Sequence, residues 1–254
     1  MEKTRIEYCD SSVNFVTGCY NTCPYCYARR MVTRFSNVKP EDTGEGNIYV
    51  LEKQPKKSFG RFNPYPYGFA PTLHEYRFAE FGTKHYGKTI FVCTMSDLFG
   101  GWVPDEWIEK VFHCCEEHPG HRYLFLTKNP KRYVALAKAG KLPKRENFWY
   151  GSTTVNPRKN FFVADGYHTF VSIEPIMEPF TNGDCRPDDV VSKVDWIIIG
   201  AETGNRKDKV VPKREWVEEI VKAAQRHGKP VFMKDSMIPI WGEEILRELP
   251  WSAE

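Results

Sequence analysis

Short apolar runs recur along the chain, each closed by a polar or glycine turn and often followed by a stretch of helical periodicity. The runs are Val13 to Thr17, Thr89 to Thr94, Tyr123 to Thr127, Phe148 to Thr153, Thr169 to Ile173, Asp195 to Ile199 and Pro230 to Met233. Each is short and rich in Val, Ile, Phe or Tyr, as strands buried on both faces of a parallel sheet are. Helical stretches are predicted at Pro24 to Arg34, Pro104 to Glu117, Pro130 to Ala139 and Pro212 to His227. Pro104 suits a first-turn position, with Asp105 and Glu106 near the positive end of the helix dipole. Gly140 and Gly228 follow two of these stretches as C-cap residues. Strand–helix alternation of this kind predicts an α/β fold with a parallel sheet. Seven strands over this length suit an open or complete β/α barrel, with a doubly wound sheet as the alternative.

Residues 38–88 break the rhythm. They lack helical periodicity and are crowded with Pro, Gly and aromatic residues. The expectation is an insertion after the first strand–helix unit, inside a single domain of residues 1–254. No internal repeat, low-complexity tract or linker interrupts the chain.

Composition narrows the function classes. Hydrophobic residues make up 41% and charged residues 27% of 254 residues, the balance of a globular protein. The net charge of +3, from 36 basic and 33 acidic residues, is too weak to argue for nucleic acid by itself. No run approaches the roughly 20 apolar residues of a membrane span, and the first residues, Met1 to Glu7, carry no apolar signal-peptide core. The expected location is the cytoplasm, where thiols stay reduced and eight cysteines point to metal or catalysis more than to disulfides.

The segment Thr17-Gly18-Cys19-Tyr20-Asn21-Thr22-Cys23-Pro24-Tyr25-Cys26 holds three cysteines in the pattern C-x3-C-x2-C. A loop of this length can offer three thiolates to one cubane cluster. Four-iron clusters usually have four cysteine ligands, so a three-cysteine set leaves one iron open to a small molecule. The motif follows a predicted strand directly and opens a predicted helix. The competing readings are a structural zinc site and ordinary buried cysteines. Zinc usually takes four ligands, and no second C-x2-C or H-x3-H pair is present to complete such a site. Cys114 and Cys115 sit in a predicted helix and are expected in the core, and His113, His118 and His121 at the surface around its end. Cys185, in a loop, is a candidate hydrogen-atom donor.

With its aromatic residue before the third cysteine, the loop resembles the signature of the radical S-adenosylmethionine (SAM) superfamily. The chain further resembles the phage Gp37/Gp68-like subgroup (DUF5131) over about residues 15–235. The matching segments are Thr17 to Arg30, Leu73 to Arg77, Ile90 to Phe99, Val103 to Ile108, Leu124 to Arg132, Phe170 to Pro175 and Trp196 to Gly204. One departure is Gly-Ala-Glu-Thr-Gly at 200–204, where Gly-Gly-Glu-Ser-Gly is expected. The resemblance implies a partial (β/α) barrel and a 4Fe–4S cluster on Cys19, Cys23 and Cys26. It also implies SAM bound to the open iron and cleaved by a one-electron reductant such as flavodoxin or ferredoxin. The contrary reading is a zinc- or cluster-stabilised nucleic-acid-binding module without catalysis.

In a barrel of this type the active site lies at the C-terminal ends of the strands. Polar residues end the runs repeatedly: Ser96 and Asp97, Thr127 and Lys128, Ser152 to Thr154, Ser172 and Glu174, Glu202, and Lys234 and Asp235. For SAM, Ser96 and Asp97 are the candidates for the methionine amino group. Ser172 and Glu174 are the candidates for the ribose hydroxyls or the methionine carboxylate. Tyr25, Thr127 and Glu202 complete the cofactor set. Along a strand, Ser172 and Glu174 share a face; if Ser96 points into the barrel Thr94 does too, with Cys93 turned to the outer helices. The alternative is that strand-end Ser, Thr and Asp cap the next helix. Substrate candidates are Arg61, His74, Arg77, Lys128 and Lys234, with a solvated helix start as the alternative for Lys128 and Arg132. Between Pro55 and Lys88, nine aromatic residues mingle with six Lys or Arg. They read either as a nucleic-acid contact, stacking on bases and meeting phosphates, or as a lid over the barrel mouth.

Overall fold

In the computed structural model of the chain the described residues are 2–36, 38, 46–55, 65–81, 87–181 and 186–252. They form two compact units, Met1–Pro143 and Lys144–Glu254.

The first unit contains β1 (Glu2–Lys3), β2 (Ser11–Val13), β3 (Val16–Thr17), α1 (Tyr27–Phe35), β4 (Tyr49–Leu51), β5 (Thr72–His74), α2 (Tyr76–Ala79), β6 (Thr89–Val92), α3 (Asp105–Glu116), β7 (Arg122–Thr127) and α4 (Pro130–Lys138). Strands β2, β6 and β7 are parallel neighbours, and β1 pairs antiparallel with the outer edge of β2. The first predicted run is divided. Its start joins this sheet as β2, and its end leaves as β3 to pair with β5 in a separate sheet of order β3-β5-β4. Asn14 stands at the break: its Oδ1 accepts from the Met95 N–H (2.9 Å) and the Thr94 hydroxyl (3.1 Å), bonds that no ladder partner supplies. The segment 38–88 contributes β4, β5 and α2.

Helix α3 follows Pro104 at its N-cap, with Asp105 and Glu106 in its first turn as predicted. It buries Trp107, Ile108, Val111, Phe112, Cys114 and Cys115, the i, i+1, i+4, i+5 spacing of one helix face. Both helical cysteines are core, as expected. Burial pushes the Cys114 thiol up to about 12 and Cys115 well above the ordinary thiol range, which leaves them protonated and unreactive. His113 is exposed as expected. His121 departs from expectation: it is 4% exposed, with its ring against Phe81 and Tyr123. Gly140, with φ 70°, and Gly228, with φ 60°, take the left-handed conformation just beyond α4 and the next long helix.

The second unit contains β8 (Phe148–Thr153), β9 (His168–Ile173), α5 (Pro187–Val191), β10 (Trp196–Ile199), α6 (Arg214–Arg226), β11 (Val231–Met233), a 3-10 turn at Asp235–Met237 and α7 (Ile238–Trp241). Its four strands run parallel in the order β8-β9-β10-β11. Val171, Ile173, Ile197, Ile199, Val231 and Met233 pack with α5 and α6 in one core. The alternate residues Phe170, Trp196 and Phe232 pair their rings on the other face. Ser172 shares that parity with Phe170, so it lies on the face away from the helices.

Parallel strands in a strand–helix succession, three in the first unit and four in the second, coincide with the seven predicted runs. The fold class is α/β with parallel strands in each unit, as the sequence predicts.

Candidate cluster and cofactor site

The cysteine loop is fixed at its first step. Gly18 adopts φ 83°, and a Cβ there would lie 2.2 Å from the Ala70 carbonyl oxygen, so only glycine fits. Gly18 donates its N–H to Met95 O (2.9 Å) and Cys19 to Phe69 O (3.1 Å), which clamps the loop between two segments of the first unit. Cys19 is buried, while Cys23 and Cys26 are partly exposed. Two sulfurs accept peptide N–H groups: Cys19 Sγ from Asn21 (3.3 Å) and Cys26 Sγ from Arg29 (3.3 Å). Cys26 is also the N-cap of α1, where the helix dipole favours a thiolate. The Arg29 guanidinium donates to the carbonyls of Cys19 (2.9 Å) and Asn21 (3.1 Å), and lies over the Phe69 ring.

Burial pushes the Cys19 thiol up to about 12; the Asn21 N–H opposes this, while the negative charges of Asp97, Cys23 and Cys26 add to it. Such a thiol gives up its proton when a cationic centre arrives to neutralise it. The donor chemistry fits an iron–sulfur cluster in that sense. Among the described residues no three His, Cys, Asp or Glu side chains converge as ligands of a single metal ion. A cubane asks something else of a loop, one sulfur on each of three irons.

At the strand ends of the first unit, Asp97 is the centre of a network. Its Oδ1 accepts from Thr127 Oγ1 (2.6 Å) and the Phe99 N–H (3.2 Å), and its Oδ2 from Asn21 Nδ2 (3.1 Å) and the Lys128 N–H (3.0 Å). The Ser96 hydroxyl donates to Val16 O (3.0 Å). The parity argument from Ser96 to Thr94 does not hold, because β6 ends at Val92 and Cys93 turns left-handed at φ 60°. Lys128 holds its ammonium 5.7 Å from the centre of the Tyr25 ring, between the second and third cysteines in sequence.

His74 is fully buried. Its Nε2 is 2.8 Å from Thr17 Oγ1 and its Nδ1 3.2 Å from the Tyr76 hydroxyl. Burial, and then the nearby Arg77 charge, lower it to about 3, so it is neutral at physiological pH. This substrate candidate thus lies beneath the strand that leads into the cysteine loop. Arg77 donates to Asn14 O and the Tyr76 hydroxyl. Phe78 stacks on Phe15 at 4.5 Å and Phe81 meets the same ring edge-on at 5.3 Å. In this stretch Phe81 is buried, while Phe69, Tyr76, Arg77 and Phe78 are half-buried. Arg61 and Cys185 lie outside the described residues.

In the second unit Ser172 is buried and Glu174 reaches Lys234, Oε1 to Nζ 2.5 Å. Gly200 makes room for the pair: a Cβ there would stand 3.1 Å from Glu174 Cγ and 3.2 Å from Lys234 Cδ. Buried Glu202 is gripped by Arg206 through Nε (2.7 Å) and Nη2 (2.8 Å), a bidentate pair. The Ala201 N–H donates to Ser236 Oγ (3.0 Å). Glu174 and Lys234, read separately as cofactor and substrate candidates, thus form one ion pair. Asn21, Arg29, Arg206 and Ser236 were missed. Only Arg206 had a local signal, four residues after Glu202, the spacing of a paired helical turn.

A parallel α/β fold with a three-cysteine loop between a strand and a helix defines the class of protein. The chain belongs to the family DUF5131, described as a protein of unknown function, which it matches over residues 3–246. No curated protein matches the sequence. Among solved structures it is similar to a spore photoproduct lyase carrying a cysteine-to-serine substitution, with 11% identity over 92% of this chain and 79% of that one, at a TM-score of 0.48. It is also similar to spore photoproduct lyase complexed with dinucleoside spore photoproduct, with 10% identity, the same coverage and the same TM-score.

Proposed function

We propose that this chain is a radical SAM enzyme whose 4Fe–4S cluster is held by Cys19, Cys23 and Cys26. The observation that carries the reading is the loop itself. Three thiols lie between a clamped glycine and a helix N-cap, and two of the sulfurs accept peptide N–H groups. Such bonds favour the sulfur in its anionic, ligating form. Bound together, cluster and SAM supply a 5′-deoxyadenosyl radical and methionine after one-electron reduction.

The chain's own residues bind and orient. Ser96 and Thr127 stand beside the loop in the first unit, Tyr25 lies within it, and all three contribute to the SAM site there. In the second unit Glu174, paired with Lys234, and buried Ser172 set polar groups at the strand ends. Glu202, fixed by Arg206, gives that strand end a rigid negative edge.

The test is SAM cleavage in anaerobically prepared protein. With a strong one-electron donor the wild type forms 5′-deoxyadenosine, slowly even without substrate. Protein with a full cluster that forms none under these conditions contradicts the reading.

A further inference from the structure

We infer that Asp97 is a positioning residue for the cysteine loop, and not a ligand of the SAM ammonium group. The inference rests on the radical SAM reading. An ionised carboxylate offers about four acceptor positions. Asp97 has four donors on it, two per oxygen, and is 6% exposed. An incoming ammonium group would have to displace one of them and leave that donor without its acceptor.

The identity of the donors shows what the carboxylate does. Thr127 Oγ1 and the Lys128 N–H come from the end of β7, and the Phe99 N–H from the turn after β6. These three are anchored in the sheet. The fourth, the Asn21 side chain, belongs to the loop between Cys19 and Cys23. The backbone N–H of Asn21 is in turn the donor to Cys19 Sγ. Asp97 therefore ties the loop to the sheet, and the tie reaches the first cysteine sulfur through a single residue. Arg29 grips the carbonyls of Cys19 and Asn21 from the other side. Residues 19–21 are held from two directions, as a ligand loop must be if its sulfur is to stay aimed while a cluster is built on it.

Two variants test this. Asp97→Asn replaces an acceptor by a donor, so a pair of donors meets an NH2 group. Asn21→Ala removes only the loop's end of the tie and leaves Asp97 with three donors. Amide hydrogen exchange is measured on the metal-free proteins. The expected result in both variants is faster exchange over residues 19–26 with α6 unchanged. After anaerobic reconstitution, both should release iron to a chelator about 10-fold faster than wild type, the usual effect of removing an outer-shell partner. Wild-type exchange and wild-type iron release in both variants overturn the inference. So does an Asp97→Asn protein with an unaltered loop and cluster but weakened SAM affinity, which makes Asp97 a direct SAM contact. A wild type that assembles no cluster overturns the radical SAM reading itself. The exchange measurement on metal-free protein then still decides whether Asp97 holds the loop.

Discussion

The strand ends of the two units solve the same problem differently. In the first unit the polar groups are joined by hydrogen bonds into one network that runs from Thr127 through Asp97 and Asn21 to Cys19. In the second they are joined as ion pairs, Glu174 with Lys234 and Glu202 with Arg206, over a glycine that makes room for one of them. A saturated network fixes positions, because each donor has one partner and no acceptor is spare. The partly exposed Glu174–Lys234 pair can open and re-form at modest cost, whereas buried Glu202 is held by two Arg206 nitrogens. The first unit's strand ends are fixed by shared hydrogen bonds, the second's by charge pairs.

The sharpest way to break this contrast is to remove the sulfurs. Cys19→Ala, Cys23→Ala or Cys26→Ala should each abolish the cluster, read by the iron absorbance and content of anaerobic protein. Cys115→Ala should leave it intact, because Cys115 is core. Next comes Gly18→Ala, which forces a Cβ against Ala70 O at a left-handed position. It should destabilise the protein by about 2–3 kcal/mol in urea unfolding and loosen the loop, whereas Gly228→Ala, which has a left-handed backbone but no neighbour, should cost less.

A pH prediction follows from His74, the buried support beneath the loop. Its folded value of about 3 lies below the ordinary 6.5, so the unfolded chain takes up a proton that the folded chain refuses. The full contribution is present above pH 6.5 and is lost as pH falls from there toward 3. By pH 5 the loss is about 2 kcal/mol. Unfolding midpoints at pH 7 and pH 5 should show it, and His74→Gln should flatten the dependence. The smallest effect is expected in the second unit. Lys234→Met should change stability by about 1 kcal/mol or less, as partly exposed pairs do. A large stability loss there would show that the second strand end is as rigidly built as the first.

The strands were legible because burial on both faces writes itself as local apolar runs, and all seven reappear. The division of the first run was not legible. It depends on Asn14 bonding to residues 94 and 95, a contact that exists only once β6 lies alongside. The cysteine loop and Gly18 were visible as a local motif, since one loop carries all three sulfurs. The role of Asp97 was not, because its partners come from positions 21, 99, 127 and 128. The pairing of Glu174 with Lys234 was hidden for the same reason. The strand-face argument for Thr94 failed because nothing in the sequence announces a left-handed Cys93.

One measurement bears on the central claim most directly: iron and acid-labile sulfide per chain, with the electron paramagnetic resonance spectrum after reduction, in protein purified without oxygen from iron-replete cells. The account predicts about four irons and four sulfides and the signal of a reduced 4Fe–4S cluster. Stoichiometric zinc with neither iron nor sulfide would contradict it.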